Sequence, residues 1–215
     1  MGPADLALSH IWQLVFGWTE DRPKTIESMI ELSKQAVASD PHDAYALVGA
    51  SFGMTFKGRQ ADGSGFARKA VQANPNLALA HAALGFSLVF AGHYQQSIES
   101  VELAMRLSPR DPFMAIMLAV IGISYYLAEQ YEAAEGTARQ LILEHPGMPT
   151  GYRQLAATLA QLGRLDEAQA VVADHLLRLI PGHTATQAGQ QLPFGGNEDG
   201  RHHVLEGLRK AGLPE

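Results

Sequence analysis

Apolar residues recur at three- and four-residue steps along most of the chain, and the clearest run is Leu77 to Pro109, LALAHAALGFSLVFAGHYQQSIESVELAMRLSP. Leu77, His81, Leu84 and Leu88 fall on one stripe of a first helix. Gly92-His93 breaks the pattern. It resumes in a second helix with Ile98, Val101 and Leu107 inside and Gln95, Gln96, Glu99, Glu102 and Arg106 outside. Pro109 ends it, because proline has no N–H to continue the ladder. Gly85 and Ser97 are small where two antiparallel helices would come closest, and Ala104 is small where a next unit would press in. A helix pair with so wide an apolar face cannot bury it alone, so the neighbouring units are expected to be copies.

The copies are visible. Pro41, Pro75, Pro109, Pro146 and Pro181 each close a helical run (AVASDP, AVQANP, AMRLSP, LILEHP, LLRLIP), at steps of 34, 34, 37 and 35 residues. Gly58, Gly92 and Gly163 precede a second helix; Tyr94, Tyr131 and Leu165 follow the turn, and Ser97, Ala134 and Ala168 come three residues later. On these residues the chain resembles the tetratricopeptide (TPR) repeat family, whose period is about 34 residues. One unit carries the pattern as Tyr152, Leu155, Ala156, Leu159, Ala168 and Pro181, another as Leu84, Gly85, Leu88, Ser97, Ala104 and Pro109. The family's tryptophan is absent, its place taken by Leu47, His81, Leu118 or Tyr152. The resemblance implies an all-α, right-handed superhelical solenoid of about five helix-turn-helix repeats plus C-terminal capping helices. It is read as one domain, 1–215, with repeats at about 4–41, 42–75, 76–109, 110–146 and 147–181 and a capping segment at 182–215.

In chain order, the pattern predicts a first helix from Asp5 to about Trp18 and a partner from about Pro23 or Lys24 to Ala38. His42–Lys57 pairs with Ser64–Ala73 across KGRQADGSG, the most flexible-looking loop of the repeats. Ser108 to Pro112 is an insertion before Phe113–Ala128 and Tyr131–Glu144, and Met148–Leu162 pairs with Leu165–Leu179. Past Pro181 the period fails. A short helix, Thr184 to Gln191, a loop, LPFGGNEDG, and a closing helix, His202 to Ala211, are expected there, with Val204, Leu205 and Leu208 facing the open end of the solenoid.

Composition narrows the function classes. The 215-residue chain has no cysteine, which excludes disulfides and thiol catalysis and fits a reducing, cytoplasmic setting. Its net charge is −6 without any basic run, so the stripe that binds nucleic acid is missing. The opening MGPADLALSH lacks the basic segment of a secretory signal. FMAIMLAVIGISYYLA, the longest uncharged run, is too short to span a bilayer and reads as a buried repeat helix.

In the TPR family ligands are gripped from fixed positions on the first helix of each pair. Carried onto this chain, these positions mark Tyr45, Val48, Phe52, Phe56, Leu79, Phe86, Val89, Phe90, Ile123, Tyr126 and Arg153 as the expected groove. The groove is apolar and aromatic through its middle. The Lys, Arg and Asn set with which some TPR domains clamp a peptide carboxylate is represented by Arg153 alone, so that clamp is rejected. Two readings of the phenylalanines stand open. Either Phe52, Phe56, Phe86 and Phe90, with Tyr126, receive an amphipathic helix or apolar segment, or tight curvature buries them against neighbouring repeats.

Catalysis finds no support. His202-His203 point about 100° apart on a helix and lack companion ligands, so no metal is expected. His81 and His175 fall on packing faces. Gly63-Ser64-Gly65 lacks the strand and lysine of a phosphate loop, and no acid, base and nucleophile assemble. The chain is therefore expected to be no enzyme and to need no cofactor.

The tail LEGLRKAGLPE after QLPF, with LSPRDPF and LAQLGRLDEA, is also similar to the C-terminal TPR region of bacterial class III adenylate or guanylate cyclase-type proteins. That resemblance implies a regulatory module of a longer signalling protein whose catalytic residues lie elsewhere. The leading expectation is a protein–protein interaction scaffold binding a protein segment, or a second copy of itself as a homodimer. The alternative is a sensor module closing on an apolar small molecule.

Overall fold

The computed structural model describes residues 2–215. Five helix pairs follow one another: α1 (Pro3–Phe16) with α2 (Arg22–Ser39), α3 (Ala44–Phe56) with α4 (Gln60–Ala73), α5 (Ala78–Phe90) with α6 (Tyr94–Leu107), α7 (Met114–Leu127) with α8 (Tyr131–Glu144), and α9 (Pro149–Gln161) with α10 (Leu165–Val171). The last helix runs on through a π-helical turn, Val172–Leu176, into a final α turn, Leu177–Leu179. Two more helices, α11 (Ala185–Gln191) and α12 (Glu198–Lys210), complete the chain. Among the described residues no helix is long and apolar enough to cross a membrane.

Each pair is turned by the same device. Gly58, Gly92 and Gly163 adopt left-handed φ of 81°, 90° and 77°. The N–H of the residue after each glycine reaches back to close the helix: Arg59 to Met54 O, His93 to Leu88 O and Arg164 to Leu159 O, all at 2.9 Å. This ending satisfies carbonyls that the helix leaves unpaired, and glycine adopts it without steric cost. In the fourth pair Glu129 takes the same conformation at φ 59°.

The two helices of a pair have different surroundings. In α5 and α7 nearly every side chain is buried, whereas α6 buries only Ser97, Ile98, Val101 and Ala104. First helices therefore form an inner layer and second helices an outer one. Gly85 and Ser97 meet at the crossing of α5 and α6, where the Ser97 hydroxyl donates to Gly85 O at 2.7 Å.

The solenoid curls until its start meets its end. Trp12 of α1 stacks on Phe113 with ring centroids 5.3 Å apart. Trp12, Val15 and Phe16 pack against Ala115, Leu118, Ala119, Leu141 and Met148. An apolar inner wall this long is driven to close on itself, because each Å² removed from water contributes about 25 cal/mol.

Three expectations change. The chain between α3 and α4 is a tight turn, and α4 starts at Gln60 instead of Ser64. The glycine there serves packing: a Cβ on Gly63 would stand 3.0 Å from Ser51 O and from Ser87 Oγ. The closing helix starts at Glu198, ahead of His202, because the Asn197 side chain caps it by accepting the Gly200 N–H at 3.1 Å. That helix does not cover the open end of the solenoid; it lies along the inner face, against α9 and α7.

Candidate functional site

The expected groove residues divide into three groups. Phe56, Phe86, Phe90, Ile123, Tyr126 and Arg153 share the wall of one partly open cavity. Val48, Phe52, Leu79 and Val89 are at most 2% exposed and lie off that wall in the core between helices. Tyr45 is 47% exposed at the start of α3 and lies outside the cavity. Curvature accounts for the middle group, since a tighter superhelix swings these positions from the inner face into the joints between repeats. The phenylalanines form one continuous string: Phe52 to Phe86 at 5.0 Å, Phe56 to Phe86 at 4.9 Å and Phe86 to Phe90 at 5.2 Å between centroids.

The string ends on the chain's own tail. Phe194, fully buried, sits edge-on to Phe90 at 5.0 Å. Around it the segment after α11 is held at several points. Gln60 Nε2 donates to the Pro193 carbonyl. Asn197 Nδ2 donates to the Tyr94 hydroxyl at 3.2 Å, and the Tyr126 hydroxyl donates to the His203 carbonyl at 2.9 Å. His203 lies between Tyr126 and Tyr131, its Nε2 3.0 Å from the Tyr131 hydroxyl. Burial raises the Tyr126 phenol above its usual range. Gly207 lets α12 bed against the wall, since a Cβ there would run into the Tyr126 hydroxyl and approach Ala157 Cβ to 3.2 Å.

What the tail leaves unfilled is a cavity with about 110 Å³ of room for the centres of water-sized molecules. Leu14 and Val15 of α1, Ile116 and Val120 of α7, and Val204 and Leu208 of α12 complete its apolar wall. Two guanidinium groups share the lining, Arg22 and Arg153. Arg22 donates to Leu14 O at 3.0 Å and to Gln191 O at 2.9 Å, with its guanidinium carbon 5.3 Å from the centre of the Phe56 ring. Arg153 donates to Gln191 Oε1 at 2.8 Å and to Thr150 Oγ1 at 3.2 Å. Burial pushes Arg22 down to about 10; burial and the charge of Arg22 push Arg153 down to about 10. His183, 2% exposed, feels the charge of Arg153 and falls to about 4, mainly through burial.

Arg22, Gln191 and Phe194 are invisible to repeat-based reasoning, because each meets the groove through contacts distant in sequence. The apolar triplet Leu192-Pro193-Phe194 inside a polar loop was the one available signal. Of the remaining histidines, His81 is buried with its Nε2 2.8 Å from Pro75 O. His175, expected on a packing face, is exposed and stacks on Tyr152 at 5.3 Å. The π-helical turn spends an extra residue, so the buried positions advance by four, Ala168, Val172 and Leu176, and position 175 turns outward. Among the described residues no group of three His, Asp or Glu is placed to hold a metal ion.

No family model and no curated protein matches the chain. Solved structures do. TTC0263, a thermophilic TPR protein from Thermus thermophilus, is similar over 96% of this chain and 97% of its own, with TM-score 0.67 and 20% identity. PilW, a widely conserved type IV pilus biogenesis factor, is similar over 94% of this chain and 88% of its own, with TM-score 0.67 and 17% identity. YrrB, a TPR protein with an unusual peptide-binding site, is similar over 83% of this chain and 90% of its own, with TM-score 0.55 and 21% identity. At these identities the likeness shows the fold, and the fold is that of a TPR solenoid.

Proposed function

We propose that this TPR-fold chain is a non-catalytic interaction scaffold whose inner groove takes an extended apolar segment of a protein partner, or of a second copy of the chain. The segment would occupy the place held by Leu192-Pro193-Phe194. The observation that carries the reading is the seat of Phe194, which ends the Phe52–Phe56–Phe86–Phe90 string and is flanked by two hydrogen bonds to the repeats, Gln60 donating to Pro193 O and Asn197 donating to the Tyr94 hydroxyl. The groove is chemically suited to a proline-and-aromatic segment, and the chain supplies one itself. A tethered segment competes at an effective concentration of the order of millimolar, so a partner must bind better than that or find the tail loosened. YrrB, with its peptide-binding site, supports the same use of the fold. The alternative of a regulatory module attached to a cyclase-type domain rests only on the resemblance of the tail and of LSPRDPF and LAQLGRLDEA.

The test is a labelled peptide, QQLPFGGNEDG, titrated by fluorescence anisotropy into the wild-type chain and into Phe194→Ala. The variant has lost its own anchor, so it is expected to bind the peptide about ten-fold more tightly than wild type or better, a difference of about 1.4 kcal/mol. Adding Phe90→Ser should erase the gain. Equal affinity for both chains, or no binding to a folded Phe194→Ala protein, overturns the reading.

A further inference from the structure

The cavity beside the tail carries a second inference, independent of any partner segment. Arg22 and Arg153 face it together, and their four acceptors, Leu14 O, Gln191 O, Gln191 Oε1 and Thr150 Oγ1, are all neutral. A guanidinium has five N–H donors, so most of this donor capacity is left over. Neither arginine has a carboxylate partner among the described residues; Arg59, Arg106, Arg139, Arg164, Arg178, Arg201 and Arg209 do, and the other two without one, Arg68 and Arg110, are exposed to water. The chain is acidic, with 22 Asp and Glu against 16 Lys and Arg, so the missing counter-charge is no accident of composition. Two like charges held near each other beside an apolar chamber are costly without an anion between them.

We propose that this cavity binds a small apolar monocarboxylic acid. Its carboxylate bridges Arg22 and Arg153, and its hydrocarbon body lies against Phe86, Ile123 and Val120. Carboxylates are the planar anions that guanidinium forks match best. The size follows from the volume. An apolar protein cavity of about 150 Å³ binds benzene, so 110 Å³ of comparable room suits one body the size of a phenyl ring or a short alkyl chain. The site is built from both ends of the chain, Leu14 and Arg22 from the first repeat and Gln191 from the tail, so an occupant would tie the tail to the first repeat.

The test uses the full chain and three probes in isothermal titration: benzoate, benzyl alcohol as its uncharged counterpart, and acetate as its headgroup alone. Benzoate is expected to bind at least about ten-fold more tightly than either, a gap of about 1.4 kcal/mol or more. Arg153→Gln should bring benzoate down to the level of the alcohol. If that variant fails to fold, the three probes on the wild-type chain still decide. Benzyl alcohol binding as tightly as benzoate removes the role of the arginines, and acetate binding as tightly removes the role of the chamber. No binding of benzoate at millimolar concentration removes the site. None of these outcomes touches the peptide titration, so the two readings fail separately.

Discussion

Arg153 and Arg164 belong to the same helix pair and live in opposite surroundings. Arg164, at the turn into α10, donates to Glu135 at 2.8 Å and to Glu167 at 2.6 Å, and Glu135 also holds Arg139 at 2.7 Å. Burial works to raise the Glu135 carboxyl, but hydrogen bonds from Arg139 and Arg164 outweigh it and hold the group below its usual value. Hydrogen bonds donated to Glu167, then to Glu135, raise Arg164. This outer cluster ties α8 to α10 and lies within reach of water and salt. Arg153, on the inner wall, has a glutamine and a threonine instead. In this outer cluster charge is matched; at the cavity it is left positive beside hydrocarbon. Surface pairing of this kind adds little to stability, whereas unmatched charge next to a cavity carries a desolvation cost.

The inner side can be broken most severely at Phe194. Phe194→Ala removes a fully buried ring from the end of the aromatic string. It is expected to lower the free energy of unfolding by about 3–5 kcal/mol, measured by urea denaturation. The outer control is Leu143→Ala, at a side chain 83% exposed, where the change should stay within about 0.5 kcal/mol. A loss below about 1 kcal/mol at Phe194 would mean that the tail is not anchored by this ring.

Arg153→Met carries the opposite sign. It removes the partly buried charge and keeps an unbranched chain of similar reach, so unfolding should become harder by about 1 kcal/mol in the absence of any anion. A loss of stability instead would show that the bonds to Gln191 and Thr150 outweigh the cost of desolvation. Together with Arg153→Gln, this variant separates what the residue does for the fold from what it does for a ligand.

The contrast between the two sides also marks what could be read from the chain alone. The repeat body was legible because its determinants are local: a glycine at each turn, a proline after each second helix and small residues where helices cross. Even Glu129, which breaks the glycine rule, sits in phase with the other turns, and the structure puts it in the same left-handed conformation. The inner wall was legible only in part. Family positions led to Phe56, Phe86, Phe90, Ile123, Tyr126 and Arg153, which line the cavity, and also to Val48, Phe52, Leu79 and Val89, which the curvature buries. Curvature is a sum of small rotations over five joints, and no single residue records it. The return of Phe194 to Phe90, or of Gln191 to Arg22, has no period to reveal it.

A smaller effect separates the two sides by pH. His183 is held neutral by burial and by the charge of Arg153, against a weaker pull from the Gln187 side chain that favours the charged form. Its folded value, about 4, lies below the ordinary 6.5. Between these two values the unfolded chain binds the extra proton and the folded chain does not, so stability falls as pH drops from about 6.5 toward about 4. The urea midpoint should decline across that window, and His183→Asn should flatten part of the decline. An unchanged slope in the variant would show that His183 is not held neutral by the inner wall.

The smallest effect is expected at Arg164. Its partners are Glu167, 54% exposed, and Glu135, 17% exposed. Arg164→Ala cuts both contacts and leaves Glu135 with Arg139 as its remaining cation. The loss should be about a degree or two in melting temperature at low salt and should shrink further toward 1 M salt, where the screening length falls to about 3 Å. Arg153→Met should respond less to salt, because its surroundings are partly buried and less well screened. Suppose instead that Arg164→Ala proves as costly as Phe194→Ala and insensitive to salt. The outer cluster would then be a structural clasp between the fourth and fifth pairs, and the division between a matched outside and an unmatched inside would no longer describe where this solenoid keeps its stability.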